Sequence, residues 1–348
     1  MSATTTDPPR SEEALEERLS RPRAETVAAL REAPGDLLVL GAGGKMGPSL
    51  ARMAARAAAD AGAGRPRRVV AVSRFGDAAA RAALEAHGVE TIAADLLDRA
   101  ALDALPDAPN VVFMAGQKFG TSGAPSRTWA MNALVPATVA ERFRDARLVA
   151  FSTGNVYPLT SVTGAGSRED DPPAPVGEYA MSCLARERLL EDAAARRGTR
   201  VAIVRLNYAN DLRYGVLTDL AVKVSEGTPV PVAMGWVNVI WQGDANRIAL
   251  ECLPRAQVPP FVVNVTGAER LEVRALATAI GERLGIPPRF EGEEGPDALL
   301  SDTALMQRTF APPELPAPVL LDWVSAWVAA GGRLLGKPTH FEERRGRF

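Results

Sequence analysis

DLLVLGAGGKMGPSLARMAARAAADAG, residues 36–62, decides the fold. Leu37 to Leu40 read as a short buried strand. A glycine turn follows, with Gly41, Gly44 and Gly47 at three-residue spacing, and then an Ala-rich run that reads as a helix. Only glycine lets a backbone turn this tightly and come close to a pyrophosphate, whose charge then meets the helix N-terminus. A lone G-x-x-G-x-x-G is a loose pattern. Between the chain's first good strand and a helix it reads as a dinucleotide-binding turn, with Lys45 and Met46 inside it.

Outward from that turn, strands and helices alternate. RRVVAVSRF is a second strand, DAAARAALEAHG a helix stopped by Gly88, and VETIAADLLD a strand with its exit loop. NVVFMAG is another apolar strand, TWAMNALVPATVAERFRDA a helix, and RLVAFST the strand after it. Tyr179 to Arg197 read as a helix and TRVAIVRLN as one more strand. Apolar strands alternating with helices predict an α/β fold, a Rossmann-type doubly wound parallel sheet. After about Asn210 the alternation loosens into Pro-rich joints (GTPVPV, VPPF, PPRF, APPELPAP) between helical stretches, which predicts a smaller C-terminal substrate lobe. The expected organisation is an N-terminal tail and helix over 1–34, a Rossmann domain over 35–210, and a lobe with a C-terminal tail over 211–348. Residues 1 to about 10 read as disordered. SEEALEERLSRPRAETVAALREA reads as helical, interrupted at Pro22.

The composition narrows the function. Of 348 residues 47% are hydrophobic and the net charge is −2, so neither nucleic acid nor an anionic membrane is an expected partner. No apolar run reaches the ~18 residues of a membrane span. MSATTTDPPR lacks the apolar core of a signal peptide, so a cytoplasmic protein is expected. Two cysteines, Cys183 and Cys252, make no disulfide framework, and with two histidines they argue against a metal site. Of 40 basic residues only Lys45, Lys118, Lys223 and Lys337 are lysines, so a retained Lys hints that the compact ammonium is wanted for itself.

NAD binders usually place Asp or Glu at the end of the second strand, on the ribose 2′-hydroxyl. Ser73 and Arg74 stand there instead, and Lys45 lies inside the glycine turn. No carboxylate repels a 2′-phosphate and two cations can hold one, so NADP is expected ahead of NAD.

Several of these segments together resemble the extended short-chain dehydrogenase/reductase superfamily, the NAD-dependent epimerase/dehydratase family. They are GAGGKMG, ADLLD with Asp95 and Leu96, VVFMAG with Met114, Ala115 and Gly116, Asn132 in a helix, FSTGNVYP, and Tyr179 opening a helix. RLNYAN, VNVIWQGDA and FVVNVTGAERLEVRALATAI continue the similarity, which covers roughly 35–285. The resemblance implies a Rossmann sheet plus a small lobe, and oxidation, reduction, epimerisation or dehydration of a sugar or nucleotide sugar. It implies adenine contacts at Asp95 and Leu96, and a catalytic hydroxyl at Thr153, with Ser152 beside it. It implies that Tyr179 gives or takes the substrate's hydroxyl proton. Asn155 and Asn207 are candidate substrate contacts, and a homodimer is a possible assembly.

One part of the pattern is missing. The family carries a Lys four residues after the Tyr, whose charge lowers the Tyr pKa from its ordinary value near ~10. Here that position is Cys183, which reads as a small apolar filler. Lys118, on the loop after the fourth strand, is one candidate substitute, against a plain surface charge. Arg186, which shares a helix face with Tyr179 and Cys183, is another, against a solvated or ribose-facing side chain, the account preferred for it. Two functions stay open. One is an NAD(P)-dependent enzyme acting at a carbinol carbon; the other is a cofactor-binding sensor or scaffold whose chemistry lapsed with the Lys.

Overall fold

The protein is described from a computed structural model, which covers residues 7–62, 67–118, 120–121 and 123–347. The expectation of disorder at the N-terminus lies, for its first six residues, outside these. Seven parallel strands form the central sheet: β1 (Leu37–Leu40), β2 (Val69–Ser73), β3 (Glu90–Ala93), β4 (Asn110–Phe113), β5 (Arg147–Thr153), β6 (Arg200–Leu206) and β7 (Phe261–Val265). Their order across the sheet is β7-β6-β5-β4-β1-β2-β3. The order reverses at β1, and a crevice forms outside the carboxyl ends of β1 and β4, where such folds bind ligands.

The strands are apolar on both faces because helices cover both. Leu37 and Val39 face one core with Met53 and Ala54 of the helix after the glycine turn. Leu38 and Leu40 face the other, with Val139 and Leu190. Two-residue periodicity thus divides one four-residue strand between two cores. The helices used below are α1 (Glu12–Leu19), α2 (Ala24–Glu32), α3 (Gly47–Ala61), α4 (Val135–Arg142), α5 (Gly177–Arg197), α6 (Val216–Ser225), α7 (Gln242–Glu251), α8 (Val273–Leu284) and α9 (Ala317–Ala329). A π-helical turn, Ala130–Leu134, leads into α4.

The sheet departs from the expected boundary at residue 210. β7, from beyond that point, pairs in parallel with β6 from Phe261↔Ala202 to Val265↔Leu206, and α7 contributes Ile248 and Ala249 to the first core. The chain leaves the sheet, builds part of the lobe and returns. The N-terminal segment is not a separate piece either. Leu15 and Leu19 of α1 lie in the lobe's core with Trp241 and Trp323, while Leu30 of α2 lies against the sheet. The break expected at Pro22 separates these two helices. Among the described residues no helix is long and apolar enough to cross a membrane.

Candidate active site

At the end of β1 the chain turns sharply. Gly41 has φ +93°, and a Cβ there would stand 2.5 Å from the Ala115 backbone nitrogen. Glycine is needed for both reasons. A Cβ on Gly47 would stand 2.4 Å from the Ala42 carbonyl oxygen, so Gly47 lets α3 pack onto its own turn. Gly44 differs. Its Cβ would meet only the Gly41 oxygen at 3.4 Å, and Gly44 borders an open cleft of about 210 Å³. The fold tolerates a side chain there, so its absence leaves room for something else.

The cleft is where the sequence placed the dinucleotide. Gly41, Gly44, Ser73, Arg74, Asp95, Leu96, Met114, Ala115 and Gly116 all line it. The residues fit the group: glycines at the turn, α3 starting behind them, and no carboxylate at the end of β2. Gly43, Ala94 and Met131 line it too and were not foreseen. Three expected members do not line it: Gly47 packs α3 onto its own turn, and Lys45 and Met46 are elsewhere. Lys45 and Met46 line a second recess on the far side of the same loop. The Lys45 ammonium lies 3.7 Å over the Tyr214 ring and donates to the Ala209 carbonyl at 3.3 Å. It lines a different recess from Arg74.

The second recess is a cavity of about 150 Å³, and it gathers Lys118, Ser152, Thr153, Asn155, Tyr179 and Asn207. Thr153 ends β5. Its Oγ1 accepts from the Asn155 backbone N–H at 3.2 Å and from Asn155 Nδ2 at 3.0 Å. It is also hydrogen-bonded to the Tyr179 hydroxyl. A hydroxyl has two acceptor sites and one proton. Asn155 fills both acceptor sites, so the Thr153 proton points at Tyr179. The Tyr179 hydroxyl is bonded in turn to the Cys183 thiol. A polarised chain results, Asn155 to Thr153 to Tyr179 to Cys183.

Burial pushes the Tyr179 hydroxyl well above its ordinary range, and Cys183 adds to the rise. Cys183 is itself buried against Val156 and Tyr157, and burial raises its thiol. It fills space and receives the tyrosine's proton, but brings no charge. Two cations are near. Lys118 is lowered to about 8 by burial, partly offset by Asp219 and Cys183, and its Nζ donates to the Thr339 carbonyl at 3.3 Å. Arg186 is buried, so of the solvated and ribose-facing accounts expected for it the solvated one does not hold. Its guanidinium donates to the carbonyls of Asn132 (3.1 Å), Phe151 and Ala115 (3.4 Å) and to Asn132 Oδ1 (3.3 Å). Its charge lowers the Tyr179 and Cys183 pKa values, but its donors are engaged with the protein.

Ser152 lines the cavity, yet its hydroxyl donates to the Glu187 carboxylate. Glu187 pairs with Arg205 at 2.7 Å, and both are buried. Ser152 thus belongs to a structural pair under the site and is not a second reacting hydroxyl. Asn207 Nδ2 donates to the Leu299 carbonyl at 3.2 Å. Asn132, in the π-helical turn, accepts from Gln117 N–H at 2.8 Å and donates to Gln117 O at 2.9 Å, which clips the loop carrying Lys118.

Sequence reasoning missed the far wall: Tyr208, Tyr214 and Thr339. Composition held a signal for two of them. The chain has four tyrosines: Tyr179, Tyr208 and Tyr214 line the cavity, and Tyr157 packs beneath Cys183. The tail's place, which composition left open, is over the site. Thr339 N–H and Oγ1 donate to Asp219 Oδ2 at 2.8 and 2.6 Å, and Phe341 is buried. Gly177, at the start of α5 with φ +82°, lies so close to the tail that a Cβ would meet the Gly346 oxygen at 2.3 Å.

A doubly wound sheet with a glycine turn and a Thr–Tyr pair at its carboxyl edge defines a short-chain dehydrogenase/reductase of the extended kind. The chain belongs to the NAD-dependent epimerase/dehydratase family, whose model matches residues 37–231. Solved structures share the fold. A UDP-galactose 4-epimerase is 21% identical with TM-score 0.67, covering 85% of this chain and 99% of that one. A dTDP-glucose 4,6-dehydratase from Bacillus anthracis, in complex with NAD, is 16% identical with TM-score 0.72, over 85% and 96%. The UDP-Glc/GlcNAc 4-epimerase of Campylobacter jejuni is 19% identical with TM-score 0.68, over 86% and 99%. No curated protein matches the sequence.

Proposed function

We propose that the protein is an NAD(P)-dependent enzyme acting at a carbinol or carbonyl carbon of a sugar or sugar-like substrate. The observation that carries this reading is the hydrogen-bonded chain from Asn155 through Thr153 to Tyr179, on a cavity whose loops also wall the dinucleotide cleft. A bound nicotinamide dinucleotide would supply the hydride acceptor or donor. Gly44 and the α3 N-terminus would hold its pyrophosphate. Arg74 favours NADP, now without help from Lys45. When substrate binds, the Thr153 proton turns from Tyr179 to the substrate oxygen. Tyr179 takes the hydroxyl proton in the oxidative sense and returns it to the carbonyl oxygen in the reductive sense. Lys118, a cation outside the tyrosine's own helix, takes over the electrostatic part of the missing Lys.

The tyrosine decides between this reading and a lapsed sensor. The raised Tyr179 pKa and the thiol beside it favour the sensor; the intact Thr–Tyr bond favours the enzyme. With NAD(P) and a panel of sugars and sugar derivatives, Tyr179→Phe is expected to lower turnover by roughly 10²–10⁴-fold while cofactor affinity is kept. Cofactor binding by the wild type with no turnover on any member would make the protein a sensor.

We also propose a homodimer through the face formed by α4, the π-helical turn and α5. Trp129, Leu134 and Leu189 are exposed there and line one apolar recess, with Met181 exposed on the same helix as Leu189.

A further inference from the structure

The C-terminal segment runs from the lobe to the start of α5 beside the cavity that holds Tyr179. Leu335 N–H donates to the Arg213 carbonyl at 3.0 Å. Thr339 is gripped on two sides: its N–H and hydroxyl donate to Asp219 on α6, and its carbonyl accepts from Lys118. Asp219 acts electrostatically on both Lys118 and Lys45, with Glu342 acting on the first and Asp211 on the second, so carboxylates and ammoniums are interleaved under the segment. Phe341 is buried in the lobe's core, and its carbonyl accepts from the Tyr208 hydroxyl at 3.3 Å. Arg344 donates to the carbonyls of Ala233 (3.0 Å) and Asp297 (2.9 Å) and pairs with the Asp297 carboxylate. Gly346 then meets α5, where a Cβ on it would stand 2.1 Å from the Val176 carbonyl oxygen.

Ordering a chain end costs backbone and side-chain entropy, which bonds to charged groups and the burial of Phe341 offset here. The segment is thus a fixed wall, and what it helps to enclose is small. At about 150 Å³ the cavity is below the ~300–1,000 Å³ of pockets that enclose drug-sized ligands. A nucleoside diphosphate is larger than the sugar it carries. Thr339 lies in the cavity's wall, so a group attached to a bound sugar on that side meets the segment.

We propose that the C-terminal segment 335–347 sets the size of the substrate, restricting the cavity to a sugar or sugar derivative that carries no nucleotide. This rests on the function proposed above and narrows its substrate class. Thr339 and Gly346 set the limit by holding the segment in place and have no part in the proton transfer.

The test is calorimetric binding to the full chain saturated with NAD(P). The probes are hexoses, pentoses, the matching polyols and aldonates, UDP-glucose and dTDP-glucose. The wild type should bind at least one nucleotide-free probe, and more tightly than either nucleotide sugar. The double variant Thr339→Pro, Gly346→Val removes both bonds to Asp219 and drives a side chain against the Val176 carbonyl, so the segment spends less time in place. Its affinity for UDP-glucose or dTDP-glucose should rise roughly tenfold to a hundredfold, the loss of a charge-assisted bond read as a larger open population. Its NAD(P) affinity should stay, since the cleft at the glycine turn draws no residue from beyond Met131. Three results overturn the proposal. The wild type binds a nucleotide sugar best; it binds no nucleotide-free probe; or the variant, folded by circular dichroism, gains nothing for nucleotide sugars. The first two need no variant, so they decide the matter even if the variant does not fold. Turnover of UDP-glucose by the wild type would keep the proposed function and defeat this inference. Preferred binding of a nucleotide-free sugar without turnover would do the reverse.

Discussion

Lys118 carries its proton below about pH 8 and loses it above, because burial lowers it from 10.5. A cation beside the Tyr179–Cys183 pair favours the phenolate, so its help is present below that pH and lost as pH rises through it. Lys118→Ala is expected to lower kcat at least tenfold at pH 7 and to erase an inflection near pH 8 in the pH–rate profile. An unchanged profile would leave Arg186 as the supporting charge. Lys45 makes a separate prediction about stability. Burial lowers it from 10.5 to about 7, so between those values the native state binds fewer protons than the unfolded one. Stability should therefore rise with pH across this window, the native state being relieved of a buried charge. Lys45→Met should raise the melting temperature at pH 7 and flatten the rise between pH 7 and 9. Denaturation followed across that range checks it; a lower melting temperature at pH 7 would show that the ammonium is well solvated.

At the scale of elements, the glycine turn makes the clearest prediction. Gly44 has no positive φ and only the Gly41 oxygen, at 3.4 Å, near its Cβ position, so Gly44→Val should keep the fold and lose NAD(P) affinity, read by calorimetry. Arg74→Ala should weaken NADP tenfold to a hundredfold more than NAD, the value of a charge-assisted bond of roughly 1.5–3 kcal/mol. Equal losses would mean that Arg74 does not read the 2′-phosphate. The sheet and this turn were legible because their signals are local: Leu37 to Leu40 are buried on both faces, and glycine spacing reports the backbone itself. Lys45 was misplaced because spacing does not say which way a side chain leaves a turn. Its partners, Ala209 and Tyr214, lie more than a hundred residues on. The solvated reading of Arg186 failed for a similar reason. A helix face shows which residues share a side, but the carbonyls that bury this guanidinium come from Ala115, Asn132 and Phe151. The boundary at 210 left out β7 because this strand returns after a lobe with two-residue strands and no regular alternation.

At the scale of the whole molecule, the exposed apolar residues on α5 and beside it concern assembly. Leu134 is 57% exposed, Met181 45%, and Trp129 and Leu189 37% each. Contiguous apolar surface of this kind marks an interaction site. Light scattering should give a dimer for the wild type and a monomer for a Leu134→Glu, Leu189→Glu double variant. A monomeric wild type would refute the proposed assembly.

The two recesses also differ in when the ribosome supplies them. Every residue lining the cleft at the glycine turn lies between Gly41 and Met131. The cavity beside it draws its walls from Lys45 to Thr339, so it lacks a side until the last part of the chain described has been made. A nascent chain therefore acquires all the walls of the glycine-turn cleft some two hundred codons before the last wall of the cavity holding Tyr179, and the segment carrying Thr339 and Phe341 docks onto a sheet already translated in full.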